Sequence, residues 1–180
     1  MAEVSKRSMK IRVIAEAAVL IALASVLSLY KIYRLPQGGS VTPASMVPIL
    51  IFAVRRGLKY GVAAGLLFGL IRLYLGMYVV HPVQLLLDYP LAFGALGLAG
   101  LFKGKGDIKA SVGGAALGIG GRFFSHWLSG VVFFAEYAPA GQHPAIYSAI
   151  YNGSYLGVEF IVSAVVMYML AKAGVLKVFL

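Results

Sequence analysis

The chain has 180 residues, of which 61% are hydrophobic and 12% charged, with no cysteine and a formal charge of +10. Those values exclude a water-soluble domain of ordinary composition, a disulfide framework and a thiolate metal site, and the length suits one domain over residues 1–180. In a soluble protein the positive charge would point to nucleic acid; here the basic residues sit between apolar runs, where they read as a topology signal facing anionic lipid.

An α-helix needs about 20 apolar residues to cross about 30 Å of hydrocarbon. Six segments are expected to do so: Ile11–Tyr30, Val41–Val54, Leu58–Met77, Val83–Phe102, Ala110–Phe134 and Tyr147–Leu170. The first lacks a small-residue cleavage site, so it reads as a span and not as a signal peptide. The second is short and carries Pro43 and Pro48, so it is expected to tilt, kink or re-enter. Breaks fall at Pro36-Gln37-Gly38-Gly39, Arg56-Gly57, His81-Pro82, Gly104-Lys105-Gly106-Asp107 and Pro139-Ala140-Gly141. The third and fourth spans are rich in small residues (Ala63, Ala64, Gly65, Gly69; Gly94, Ala95, Gly97, Ala99, Gly100), which allow close helix packing. The fold class expected is therefore an all-α integral membrane protein, a bundle of six transmembrane helices.

Charge sets the expected orientation. Lys6, Arg7, Lys10, Arg12, Arg55, Arg56, Lys59, Lys103, Lys105, Lys109, Lys172 and Lys177 fall on one side, against Lys31 and Arg34 on the other. The positive-inside rule places both termini in the cytoplasm. Glu16 has Arg12 four residues earlier as its expected partner.

The polar residues inside spans carry the functional argument, because a carboxylate at mid-bilayer costs about 2.5–3.5 kcal/mol on insertion scales. Asp88 lies in the outer half of the fourth span, with Gln84 one turn away on the same face. Two readings stand: a structural partner, either an ion pair with Arg72 or Arg122 or a hydrogen bond to a helix, or a ligand contact. His126, in the fifth span, lies at the same depth, with Arg122 one turn deeper as a counter-ion for Asp88 or Glu159. Asn152 adds an amide in the sixth span, with Tyr147 near its start; Tyr147 reads equally as an interfacial aromatic. Glu159 lies two turns beyond Asn152. Tyr78, Tyr89, Trp127, Phe133, Phe134, Tyr137 and Tyr151 crowd the outer rim. An acid, an imidazole, an amide and aromatic faces at one depth suit a flat, cationic heterocycle. His81 and His143 precede prolines in outer loops and read as solvated. No nucleotide, nucleophile-elbow or metalloprotease motif is present, so neither cofactor nor metal is expected and the chain is read as a non-enzyme.

These residues resemble a known family: the thiamine-specific S component, or substrate-binding subunit, of energy-coupling-factor vitamin transporters of the Bacillus type. The matching segments are Pro36-Gln37-Gly38-Gly39-Ser40-Val41, His81-Pro82-Val83-Gln84-Leu85-Leu86-Leu87-Asp88-Tyr89, His126 with Ser129-Gly130, Phe133 to Pro139, and Tyr147-Ser148 with Tyr151-Asn152. The resemblance implies a six-helix bundle with an outward vitamin pocket. It implies ligand roles for Asp88 and Tyr89, for His126, for Phe134 where some members have a stacking tryptophan, for Tyr147 and Asn152, and for Tyr78; Gln84 joins them as the neighbour of Asp88. Gly38-Gly39 stand where some members carry a lid tryptophan. Ala18 and Ala22 match the alanine motif that docks on the transmembrane coupling subunit, which works with two ATPase subunits. The implied location is the bacterial plasma membrane, and the implied mechanism is capture of extracellular thiamine followed by ATP-driven reorientation. A sister S component for a hydroxymethylpyrimidine-like precursor, a membrane enzyme using Asp88 and His126, and a structural subunit remain alternatives.

Overall fold

The computed structural model describes residues 2–105 and 107–176, with side chains from Ser8 onward. Lys177 and Gly106, and the side chains of Lys6 and Arg7, lie outside the described residues. Six helical segments follow one another: α1 (Ala2–Leu29), α2 (Val47–Arg56), α3 (Leu58–Gly76), α4 (Pro82–Phe102), α5 (Ile108–Phe133) and α6 (Pro144–Lys172). Between α1 and α2 a small antiparallel hairpin pairs β1 (Tyr33–Arg34) with β2 (Ser40–Val41).

α1, α3, α4 and α6 each contain a stretch long and apolar enough to cross a membrane. α5 has the length, at 26 residues; its mean hydropathy is diluted by glycines, serines, Arg122 and His126. The second expected span is corrected. Val41 ends a strand, Ala44 takes a positive φ of 61°, and helix begins only at Val47. Ten residues reach about 15 Å, half the hydrocarbon thickness. Seven of the ten residues of α2 are buried, Ile49, Leu50, Phe52 and Val54 among them, and the other three are half-buried. Its all-round apolar sequence is thus explained by enclosure among the other helices and not by lipid.

α3 and α4 are joined backbone to backbone. Gly61, Gly65 and Gly69 recur every fourth residue on α3, an α-helical face. Gly94, Gly97 and Gly100 recur every third residue, which suits the stretch Ala95–Phe102, wound as a 3₁₀ helix with three residues per turn. A methyl group on Gly65 would strike the Phe93 carbonyl, and one on Gly97 the Val62 amide nitrogen.

At this closed end Glu16 of α1 pairs with Arg55 (3.2 Å) and Arg56 (2.6 Å from Nε) at the corner between α2 and α3. That arrangement replaces the expected pairing with Arg12 and ties α1 to the bundle.

Toward the other end, α4 changes winding. Pro90 has no N–H to donate, and Leu87–Leu91 forms a π-helical turn in which the Ala92 N–H reaches back to the Leu87 carbonyl. Ser125 of α5 donates to that same carbonyl at 2.7 Å. Asp88 and Tyr89 sit in this widened turn.

Candidate functional site

Beyond the π turn the helices part and enclose a cavity of about 140 Å³. All eight ligand-site residues expected from the sequence line it: Tyr78, Gln84, Asp88, Tyr89, His126, Phe134, Tyr147 and Asn152.

The acidic wall is a hydrogen-bonded chain across α4 and α5. Gln84, 1% exposed, donates from Nε2 to Asp88 Oδ2 at 2.6 Å and to the Tyr78 carbonyl at 3.1 Å, and its Oε1 accepts from the Val80 N–H. His126 Nδ1 lies 2.9 Å from Asp88 Oδ1. Arg122 Nε points at His126 Nε2, 3.2 Å away. Guanidinium can only donate, so Nε2 accepts and the imidazole proton sits on Nδ1, where it donates to Asp88. Two spacings of four residues, 84 to 88 and 122 to 126, place each pair on one helix face. Of the structural partners the sequence allowed Asp88, the ion pair with Arg72 or Arg122 does not form, and the hydrogen bond to a neighbouring helix does, through His126.

Arg122 is held by more than His126. Its guanidinium lies 4.3 Å from the Phe93 ring centroid, and Nη1 reaches Met46 Sδ at 2.8 Å. It does not pair with Glu159, as the sequence had allowed. Glu159 Oε1 instead accepts from the Thr42 N–H and, at 2.7 Å, from Thr42 Oγ1, anchoring the segment that follows β2.

Asn152 faces the cavity, but its amide is committed to protein. Nδ2 donates to the Ser148 carbonyl at 3.0 Å, and Oδ1 accepts from the Tyr155 hydroxyl at 3.0 Å. Ser129 is the contrasting group: its buried hydroxyl lines the cavity with no hydrogen-bond partner among the described residues.

Rings form the rest of the wall. Tyr78 stacks on Phe134 at 6.1 Å and 25°, Tyr147 tilts against Tyr151 at 6.1 Å, and Tyr155 meets His126 edge-on. The Tyr89 hydroxyl accepts from the Tyr78 N–H at 2.7 Å. Phe133 stacks on His81, and Trp127 donates to the Ala145 carbonyl, so neither belongs to the cavity. His81 and His143 cap α4 and α6 by accepting N–H groups from Val83 and Ala145.

The first loop covers part of the cavity. Gln37, Gly38, Gly39 and Ser40 line it. Tyr151 holds this loop, donating to the Pro36 carbonyl and accepting from the Gly39 N–H at 3.1 Å. Gly38, at φ +95°, has a conformation that favours glycine, and a methyl group on Gly39 would lie 2.9 Å from the Tyr151 hydroxyl. The resemblance had put Gly38-Gly39 at the lid position; sequence reasoning missed Lys31, Ser129 and Tyr155 as lining residues and weighed Arg72 only as a partner for Asp88. The available signal for Arg72 was the cost of a lone arginine in an apolar span. Ala18 and Ala22 lie elsewhere, exposed on α1.

A helical bundle with an apolar exterior and a polar, ring-walled cavity sunk in one end defines a multi-pass cell-membrane protein built around a small-solute site. Residues 14–178 match the thiamine transporter protein family (Thia_YuaJ), and the chain belongs to that family. It is 40% identical over 177 residues to the thiamine transporter ThiT of Bacillus subtilis (strain 168), covering 91% of this chain and 89% of that protein. Against ThiT of Lacticaseibacillus paracasei the identity is 37% over 123 residues, covering 60% and 61% of the two chains. The solved structure of ThiT from Listeria monocytogenes matches with a TM-score of 0.83 at 28% identity, covering 92% of this chain and 96% of that one. The family is one of transporters, so the chain is a transport protein and not an enzyme. The resemblance read from the sequence therefore holds at family level.

Proposed function

We propose that the whole chain is a single thiamine-binding S component that captures the vitamin at the cavity end and delivers it inward after docking on an energy-coupling module. The observation that carries this reading is the joining of Asp88, His126 and Gln84 into one hydrogen-bonded wall of a ring-lined cavity, in a chain of the thiamine transporter family. Asp88 supplies countercharge to a thiazolium, and His126 holds that carboxylate in place. Phe134, Tyr78, Tyr89 and Tyr147 supply ring faces. Asn152 shapes the wall, and the first loop closes over the ligand. No bond in the substrate is made or broken.

Both termini face the cytoplasm in this reading, as the clustering of Arg55, Arg56, Lys103 and Lys105 at the closed end supports. The exposed Ala18 and Ala22 present a flat strip to the transmembrane coupling subunit, and the two ATPase subunits drive reorientation.

Saturable quenching of protein fluorescence by thiamine, in detergent, tests the ligand assignment. Asp88→Asn is expected to weaken binding by at least about 1.5 kcal/mol, the scale of a hydrogen bond to a charged group. Unchanged affinity would remove Asp88 from the site. Ala18→Trp is expected to abolish uptake in cells while binding persists; normal uptake would remove α1 as the docking face.

A further inference from the structure

The closed end of the bundle carries a surface that the capture of a solute does not use. Two basic runs far apart in the sequence meet there: Arg55, Arg56 and Lys59 at the corner between α2 and α3, and Lys103 and Lys105 just beyond α4. The meeting follows from the glycine seam. A methyl group on Gly100 would strike the Leu58 amide nitrogen, so the end of α4 abuts the start of α3. One on Gly57 would lie 2.9 Å from Lys103 Cδ, so the Lys103 stem runs across the corner itself.

The charge gathered there is not balanced within the described residues. Two acids stand at this end among the described side chains. Glu16 is shared by Arg55 and Arg56, and Asp107 caps α5 by accepting from the Ala110 N–H at 2.6 Å. Lys59, Lys103 and Lys105 are exposed and make no ion pair among the described residues. Lys105 rests over the Phe102 ring, 5.6 Å from its centroid. Cations crowded in this way repel one another until an anion lies among them. Apolar side chains flank the same corner: Leu58, Tyr60 and Leu101 are 39%, 46% and 58% exposed. In a membrane bundle such groups face acyl chains, and a tyrosine among them marks the headgroup level.

We propose that this corner is a binding site for an anionic phospholipid, whose phosphate lies between Lys59 and Lys103 while its acyl chains run along Leu58, Tyr60 and Leu101. The surface is basic at its end and apolar along its flank, so its occupant is anionic at one end and apolar along its length. A soluble anion would satisfy the lysines and leave the flank unused. Arg55 and Arg56 stay with Glu16 and keep one positive charge in excess behind the site. The two lysines, compact charges on flexible stems, supply the contacts to the phosphate.

The test uses the purified full chain in a neutral detergent with three probes at equal concentration: dioctanoyl phosphatidylglycerol, dioctanoyl phosphatidylcholine and inorganic phosphate. Native mass spectrometry counts the lipid retained, and the unfolding temperature is followed in parallel. Phosphatidylglycerol should be retained and should raise the unfolding temperature; the other two should do neither. Lys59→Gln with Lys103→Gln should weaken phosphatidylglycerol binding about tenfold or more. Both side chains are exposed, so this pair is expected to keep the fold, and its unfolding temperature without lipid checks that. Lys59→Arg with Lys103→Arg keeps the charge and should keep the lipid; a loss as large as with glutamine would overturn the role of charge. Lys10→Gln with Lys172→Gln removes equal charge from exposed positions elsewhere at the closed end and should change binding less than about threefold. Equal losses in the two glutamine pairs would overturn the site in favour of a diffuse positive face. Equal retention of the two lipids, or no retention of phosphatidylglycerol, would overturn it outright. Inorganic phosphate raising the unfolding temperature as far as phosphatidylglycerol does would overturn the lipid in favour of a free anion.

Discussion

The same two helices, α3 and α4, behave oppositely at their two ends. From Gly61 to Gly69 they pack so closely that carbonyl oxygens and α-carbons of α4 occupy the places where side chains would stand. Beyond Gly69 and Tyr89 the π turn and Pro90 alter the winding of α4, and the helices separate around polar groups. The closed end is held by dispersion between backbones, which is dense and unforgiving. The open end is held by a few directed hydrogen bonds among Gln84, Asp88, His126 and Arg122. A membrane bundle can thus place stability in one half and leave a site in the other.

The contrast is broken most severely at the closed end. Gly97→Leu would drive a side chain into the Val62 backbone, and a loss of more than about 4 kcal/mol is expected, an effect reserved for overpacked cores. The check is the yield of monodisperse protein in detergent and its thermal unfolding; a near-native unfolding temperature would show that the helices can part. At the open end His126→Ala should leave folding nearly intact and weaken thiamine binding by about 1.5 kcal/mol or more, because the Asp88 carboxylate loses a charge-assisted bond. Titration by calorimetry measures it, and a variant that binds normally but unfolds early would give His126 to the scaffold. Tyr151→Phe removes both bonds to the first loop. It is expected to cost about 1 kcal/mol, seen chiefly as faster thiamine release in stopped-flow fluorescence. The smallest effect belongs to Gly120→Ala. Nothing lies within 4 Å of the added methyl, so a change within about 0.5 kcal/mol in unfolding is expected; a large loss there would mean that glycines outside the α3–α4 seam also hold the bundle.

Much of this was legible in the residues. Pairs four apart, Gln84 with Asp88 and Arg122 with His126, already shared a helix face. The cost of burying polar groups in lipid marked them as more than ornament. The apolar run that became α2 misled for a physical reason. Enclosure by protein and exposure to lipid both demand apolar side chains, so composition alone does not distinguish an inner half-length helix from a span. The partner of Glu16 was misjudged likewise, because pairing across helices depends on how the helices meet, not on spacing within one.

By itself the sequence determined the helical, membrane-bound character of the protein, the positions of most helices and the family to which it belongs. Those follow from hydropathy, turn chemistry and local spacing, all properties of neighbours along the chain. Only the tertiary structure decided that α2 stays inside, that Glu159 holds Thr42, that His126 mediates between Arg122 and Asp88, and that Lys31 and Arg72 face the same cavity. Each of these joins residues distant in sequence, and the packing of helices, set by where glycine lets backbones touch, is what brings them together.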